Sequence, residues 1–469
     1  MINRRDFLRA LGTLPAAVQL YGLAPGELTY RKLGRTGRMV VPFALGGQAS
    51  LQWTGPNIDP ADIIVRVVEL GVNYLDTANA YGPSQANYGE AFRRLNLVPG
   101  APNYNSSLRE RLYLATKTTR RYALDRSGSG LTAVDELKRS LTTIFGDGKG
   151  AIPEGAYLNA IQIHNLQAME QVQQIWENFE RRGEKGVERL GALAGLLDYR
   201  DGTNVTGLNP ERRRWVRHIG VTGHLASPVL MNAIQRDKEK ILDTLLVALN
   251  ANDRRYLCHQ HNVIPLAKAR DMGIIAMKVF ADGVFYGKQP RFSRTPEDVI
   301  LTVGQPGKAA PADLLRYPLS IPGVTCAIVG IGHIDRKEPQ ADQALANLAA
   351  SQGDMASPAE MRRIAEQVAA LHGTETNYFQ EKFRGLVQPA EVRVERDDTR
   401  IIVRWNTALA GAEPIESYQI LAGDKLVSTV PYQPQTTLEP LSATVPAAKI
   451  GDAPVRVVAV EAPGSRPRG

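Results

Sequence analysis

An acid and a phenol five residues apart, Asp76 and Tyr81, leave one short apolar run, residues 72–75, in the stretch Gly71-Val72-Asn73-Tyr74-Leu75-Asp76-Thr77-Ala78-Asn79-Ala80-Tyr81-Gly82. Lys117 ends a second apolar run at 112–116, and His164 ends a third at 160–163. Together these four types could interconvert a carbonyl and an alcohol, a reaction in which hydride goes to carbon while a proton goes to oxygen. A phenol is a weak acid at neutral pH unless something tunes it. Lys117, held by Asp76, would put a cation beside Tyr81 and favour its phenolate, lowering its pKa. His164 could donate to the carbonyl oxygen and orient the substrate. Each residue alone also has a plain structural explanation: Asp76 and Thr77 as caps of a local turn, Lys117 as an exposed strand end, His164 as a satisfied core histidine.

The elements that must gather them follow from periodicity. A Gly-containing hairpin over 28–41 precedes eight apolar strands, at 43–45, 72–75, 112–116, 160–163, 219–222, 244–249, 274–277 and 325–329. Helical patterns separate them at 60–70, 85–95, 131–145, 168–179, 263–272 and 312–320, and an Arg- and Gly-containing insertion fills 181–217. This rhythm predicts an α/β fold, a (β/α)8 TIM barrel. In such a barrel the polar residues that end separate strands, here Asp76, Lys117, His164, Asn250 and Lys278, project onto one face, where chemistry is done.

From Pro389 the pattern changes to short alternating apolar runs, as in Ile401-Ile402-Val403-Arg404-Trp405 and Tyr418-Gln419-Ile420. These predict a small all-β sandwich with Trp405 in its core. The expected domains are therefore a leader at 1–24, the barrel at 28–385, the sandwich at 389–463 and a disordered tail at 464–469.

Composition narrows the partners. The 469 residues are 43% hydrophobic with a formal charge of +8, of which Arg4, Arg5 and Arg9 against Asp6 supply two. Such an excess does not call for nucleic acid, and the cluster Arg212-Arg213-Arg214 with Arg217 reads as a solvated face. Two cysteines imply no disulfide framework. Cys258-His259-Gln260-His261 fits no standard zinc spacing, so no metal is expected. The apolar segment 11–24 is too short and too interrupted by Pro15 and Pro25 to span a bilayer.

The chain from about residue 30 to 350 resembles the aldo-keto reductase family, through Tyr30-Arg31-Lys32-Leu33-Gly34-Arg35-Thr36-Gly37, Asp76-Thr77-Ala78 with Tyr81-Gly82, Ala115-Thr116-Lys117, Gln162-Ile163-His164, Ile219-Gly220-Val221-Thr222-Gly223-His224 and Ala276-Met277-Lys278. The resemblance implies a catalytic tetrad of Asp76, Tyr81, Lys117 and His164, and NADP as cofactor, with NAD as the other choice. It further implies cofactor contacts at Gly47, Thr222, Gly223, Asn250, Lys278, Gly283, Gly330, Gly332, Gln343 and Asn347. The basic residue that grips a 2′-phosphate in the family has no clear counterpart, because Arg336 and Lys337 fall in an atypical insertion. Trp53 is a candidate wall for the substrate, alongside His164. The substrate is expected to be a small carbonyl or alcohol, of a sugar or polyol type. The N-terminus, with Arg4-Arg5-Asp6-Phe7-Leu8, resembles a twin-arginine export signal, implying the twin-arginine export machinery as a partner, a periplasmic or otherwise exported location, and a cofactor retained through export; without a working signal the location is cytoplasmic. The C-terminal module resembles fibronectin type III. A competing reading keeps the barrel as a non-catalytic cofactor-binding sensor or scaffold whose sandwich docks a partner.

Overall fold

The structure, a computed structural model, describes residues 28–128, 130–300, 304–383, 385–451 and 453–463. The Arg4-Arg5 segment and residues 464–469 lie outside the described residues.

Strands β1 (Arg31–Lys32) and β2 (Met39–Val40) form the opening hairpin. Eight parallel strands then close a barrel: β3 (Phe43–Leu45), β4 (Tyr74–Asp76), β5 (Tyr113–Thr118), β7 (Leu158–Ile163), β9 (Val216–Gly223), β10 (Leu242–Ala248), β11 (Gly273–Met277) and β12 (Val324–Val329). β12 returns to β3 through Ala327↔Phe43 and Val329↔Leu45, which seals the ring. Within 181–217, where the sequence predicts only an insertion, the chain adds a helix at Ala192–Asp201 and a two-stranded ribbon of β6 (Tyr122–Asp125) with β8 (Arg189–Gly191). Alternation in β8 is too short to register as a strand pattern, and the buried, nearly all-apolar 192–197 carries little helical periodicity.

Local signals fix the helices that flank the strands. Asp59 caps Pro60–Glu69 by accepting from Ala61 N at 2.9 Å. Thr132 and Asp135 form a reciprocal capping box at the start of Ala133–Phe145, the arrangement that satisfies two otherwise orphaned amides. Apolar faces of these helices bury Ile63, Ile64, Val67, Leu137, Leu141 and Ile144 against the outside of the barrel.

Inside the barrel the lower half is filled by the stacked rings of Tyr74 and Tyr113, 5.1 Å apart, above the hairpin that plugs the bottom. Gly34 in that hairpin has φ +48°, and a Cβ there would meet Gly273 N at 2.3 Å, so the plug seats only because this residue is glycine. Ala44, Ala115, Ala160 and Ala248 make a ring of small buried side chains above the tyrosines.

Two three-stranded antiparallel sheets follow the helix Pro358–His372. One orders β13 (Ala390–Arg396), β14 (Arg400–Asn406) and β17 (Leu441–Pro446); the other orders β16 (Lys425–Pro431), β15 (Ile415–Ala422) and β18 (Val455–Glu461). Alternation in β14 buries Ile401, Val403 and Trp405, whose ring lies 5.4 Å from that of Tyr418. The sheets seat on the barrel beside the loop that follows β10. Asn262 exchanges two hydrogen bonds with the Ala410 backbone, and Arg254 pairs with Glu413.

Candidate active site

β4 and β5 run parallel with Asp76 opposite Ala115, so the inward Asp76 lies next to Lys117, the next inward residue of β5. Both side chains are 1% exposed and form an ion pair, and Lys117 Nζ also donates to Thr77 O at 3.0 Å. The turn that carries Tyr81 is pinned to β5 from both ends. Asn79 N and Nδ2 donate to Lys117 O at 3.2 and 3.1 Å, and Gln85 Nε2 donates to Thr116 Oγ1 at 2.8 Å. Gly82, at φ +45°, then turns the chain into the helix Ser84–Arg94. Tyr81 is thereby held with Lys117 Nζ 4.8 Å from its ring centroid and the His164 ring edge-on at 5.5 Å. His164 follows β7, its N–H donating to Thr118 O at 2.7 Å, while Arg121 Nη2 donates to the His164 carbonyl at 2.8 Å. The four residues that the sequence singled out for chemistry meet at one point of the barrel mouth.

Burial decides their electrostatics. It pulls the Asp76 carboxyl up and the Lys117 ammonium down, and their mutual attraction opposes both shifts. The Tyr81 phenol is pushed well above its ordinary value by burial, reinforced by the negative charges of Asp76 and Asp282. This is opposite to the sequence-based expectation of a phenol lowered by Lys117. The lysine's charge faces Asp76, and the resting phenol keeps its proton. His164 is pushed down to about 3 by burial, then by the charges of Lys117, Arg121 and Lys278. It is a neutral imidazole throughout the physiological range.

A cleft opens above Asp76 and Tyr81 and runs across the ends of β11 and β12 to the helix Gln343–Ser351. Of the residues that the resemblance assigned to a cofactor, Gly47, Lys278, Gly283, Gly330, Gln343 and Asn347 line it. Thr222, Gly223, Asn250 and Gly332 do not line it. Thr222 Oγ1 accepts from Asn165 N at 2.8 Å, and Gly223 packs against Leu230. Asn250 is fully buried and spends its amide on Lys278 O and Asn377 Oδ1, both at 3.0 Å. Gly332 N donates to Gln343 Oε1 at 2.7 Å. Trp53 is half-buried outside the cleft lining, with its Nε1 sealed and unpartnered.

Sequence reasoning named Lys278 and Gly283 in the middle of the cleft but missed Asp282, Lys288 and Tyr378. Lys278 and Lys288 both pair with Asp282, which Tyr378 Oη also reaches at 2.6 Å. The two cations hold the Asp282 carboxyl down at about 2 against its burial. Of these, Lys278 and Asp282 line the cleft and Lys288 stands behind them, so Lys278 is the cation that meets the cleft midway. At the far end the Gln343 amide is spent on Gly332 N, His333 N and Ile300 O, and Asn347 stands beside it. A cation for phosphates and a neutral amide for a base fit a dinucleotide diphosphate. Arg336 is committed to Asp62, at 2.7 and 3.1 Å, and to Glu69 at 3.1 Å, and does not line the cleft. Among the described residues no group of three or more His, Cys, Asp or Glu is arranged to hold a metal ion. His259 Nδ1 meets Ser227 Oγ and its Nε2 meets His224 O, both at 2.9 Å, while Cys258 Sγ turns to Gly411 O.

Residues 45–190 match the aldo/keto reductase family. A 6-dehydroglucose reductase of Novosphingobium aromaticivorans is 36% identical over 89 residues, 19% of this chain and 28% of that relative, so the match spans less than a third of the relative's length. Among solved structures, an aldo-keto reductase from Bacillus halodurans in its holo form shares 18% identity over 75% of this chain and all of its own, with a TM-score of 0.44. One from Klebsiella pneumoniae in complex with NADPH shares 16% over 74% of this chain and 96% of its own, also with a TM-score of 0.44.

Proposed function

We propose that the barrel, through the match of residues 45–190 to the aldo/keto reductase family, is a nicotinamide-dependent oxidoreductase that interconverts a carbonyl and an alcohol with NADP(H). The observation that carries this reading is the placement of Tyr81 between Lys117 and His164 on the floor of a long cleft. Bound there, the dihydronicotinamide would supply the hydride. Lys278 would hold its phosphates, fixed in place by Asp282 and Lys288, and Asn347 its adenine end.

The chain's own residues handle the proton. A phenol kept protonated at neutral pH donates to the oxygen of a carbonyl as negative charge develops on it. The neutral His164, edge-on to Tyr81, offers a ring N–H to the same oxygen and fixes its direction. Lys117, held by Asp76 and 4.8 Å from the Tyr81 ring, would be the cation nearest the phenolate as the proton leaves. The matched segment of a 6-dehydroglucose reductase favours a sugar or related polyol as the substrate class. The N-terminal arginine pair favours an exported enzyme that keeps its cofactor.

The test is the carbonyl-dependent loss of dihydronicotinamide absorbance across a panel of aldehydes, ketones and sugars. Turnover that vanishes in Tyr81→Phe supports the assignment. Equal turnover in the wild type and Tyr81→Phe, or none with any carbonyl in protein that binds NADPH, would sink it.

A further inference from the structure

Tyr378 reaches Asp282 from a strap, residues 376–381, that follows the helix Pro358–His372 and lies along the barrel mouth. Its neighbour Phe379 is buried in one apolar cluster with Ala248 and Met277, and its ring lies 6.0 Å from that of His224 in the cleft wall. Apart from Tyr378 itself and Glu381 N, which donates to Leu225 O at 3.0 Å, the strap is anchored on the loop after β10. Asn377 N donates to Tyr256 Oη at 3.0 Å, Gln380 Nε2 to Leu257 O at 3.2 Å, and Leu257 N to Glu381 O at 2.8 Å. The sandwich grips the same loop. Ala410 exchanges two hydrogen bonds with Asn262, Gly411 O accepts from Cys258 Sγ at 3.1 Å, Ala412 O accepts from Arg254 Nε at 2.8 Å, and Glu413 pairs with Arg254. Leu409, which precedes these four, bonds through its backbone to Val387, a few residues past the strap, at 2.9 and 3.1 Å. Gly411 is the pinch point. A Cβ there would meet Gly385 C at 2.7 Å, Gly385 O at 2.8 Å and Glu461 Oε1 at 3.1 Å, so the chain that leaves the strap lies directly on it.

We propose that the C-terminal sandwich positions the cleft: its segment 409–413 fixes the strap and the loop beneath it, and so seats Tyr378 on Asp282 and sets where Lys278 stands. Gly411 and Tyr378 are positioning residues that act through Asp282. The chemistry of that contact is settled by its partners. Two lysines keep Asp282 ionised, so the Tyr378 hydroxyl donates. Tyr378 and Lys288 share Oδ2, which turns Oδ1 toward Lys278. A carboxylate held at one oxygen from two sides has a fixed direction, and the lysine on its other oxygen follows it. The sandwich therefore bears on the one cation that meets the cleft midway, although none of its own residues lines the cleft. The affinity arm of the test below rests on the reading of the cleft as a cofactor site; the exchange arm does not.

The full-length chain with Gly411→Ala is compared with the wild type, by fluorescence quenching for NADPH affinity and by amide hydrogen exchange over 376–381 and 278–288. Affinity should weaken by about threefold to tenfold, and exchange in both segments should quicken by about tenfold. A sandwich that served stability alone would lower the unfolding midpoint and leave both readouts of the folded protein unmoved, which would overturn the proposal. Tyr378→Phe removes only the hydroxyl and should weaken affinity by a similar factor. In the Gly411→Ala background it should add less than about twofold, because the displaced strap has already lost that bond. Full additivity of the two would also overturn the proposal. Glu413→Gln loosens the Arg254 pair without crowding the strap and decides the matter if Gly411→Ala fails to fold: a smaller shift of the same sign supports the proposal, and wild-type affinity and exchange sink it. A wild type that does not bind NADPH would defeat the cofactor reading, and exchange over 278–288 would still decide this one, faster in Gly411→Ala if the sandwich positions the cleft and unchanged if it does not.

Discussion

The floor of the cleft and its arm are built by opposite means. On the floor, Asp76 and Lys117 sit on paired strands and Tyr81 on a turn bonded to one of them, so closure of the barrel sets their spacing. Along the arm, Lys278, Ala281, Asp282 and Gly283 all take positive φ, at 59°, 47°, 58° and 90°, in a loop that leaves β11. Three of those four are not glycine, and each such residue costs on the order of 1–2 kcal/mol. The floor spends burial to fix protonation states; the arm spends backbone strain to turn a carboxylate between two lysines. Under the proposed function, proton transfer would fall to the floor and holding to the arm, and mutations should separate the two.

Tyr81→Phe should give the largest effect. It removes the proton donor and leaves the ring, so turnover should fall by about 10²–10⁴, while NADPH affinity, read by fluorescence quenching, stays within about twofold. Lost affinity would mean that the floor also holds the cofactor. Lys117→Met should come next and act on stability. It strands the Asp76 carboxyl, 1% exposed, without its cation, which costs about 3–5 kcal/mol for a broken buried pair. Denaturant unfolding would register it as a lower midpoint at unchanged slope. The double variant with Asp76→Asn should recover part of the loss.

His164 extends the comparison to pH. Its folded value of about 3 lies below the ordinary 6.5 of an exposed histidine. Between those limits the unfolded chain binds a proton that the native state refuses, so this residue makes stability rise with pH. Its contribution is full above about pH 6.5 and is lost as pH falls toward 3, with a slope of at most about 1.4 kcal/mol per pH unit. Unfolding free energies of wild type and His164→Gln, compared from pH 4 to 7, should converge at the acid end. Parallel curves would show that the imidazole is not held neutral.

The floor was legible in the sequence because strand ends are: an apolar run that stops on Asp76, Lys117 or His164 announces both the strand and the direction of its last side chain. The barrel order followed from the same runs. The arm was half legible. Lys278 ends β11 and was visible, but Asp282 and Lys288 reach it only through left-handed backbone at non-glycine residues, which no residue-type pattern signals. Tyr378 comes to Asp282 from about a hundred positions along the chain, behind the helix Pro358–His372. Asn250 looked like a cofactor contact for the same reason that Lys117 looked catalytic, a polar strand end, yet Asn377 claims its amide. A strand end says that a side chain points to the mouth, and only the tertiary partner says whether it is free there.

Gly283 offers the finest cut between floor and arm. Its φ of +90° lies where a side chain is strained, and a Cβ would meet Lys288 Cδ at 3.2 Å, Lys288 Cβ at 3.3 Å and Ile300 Cγ1 at 3.5 Å. Lys288 Cδ can rotate away but Lys288 Cβ is fixed to the backbone, so Gly283→Ala costs at least the backbone strain of about 1 kcal/mol. That strain acts on the loop that carries Asp282 and steers Lys288, which leaves a different strand from those that carry Asp76, Lys117 and His164. NADPH affinity should therefore weaken by about fivefold, the equivalent of that strain, while turnover at saturating cofactor and the pH profile of turnover stay unchanged. A fall in saturated turnover with affinity intact would join the arm to the proton transfer and dissolve the division of labour drawn from the two regions.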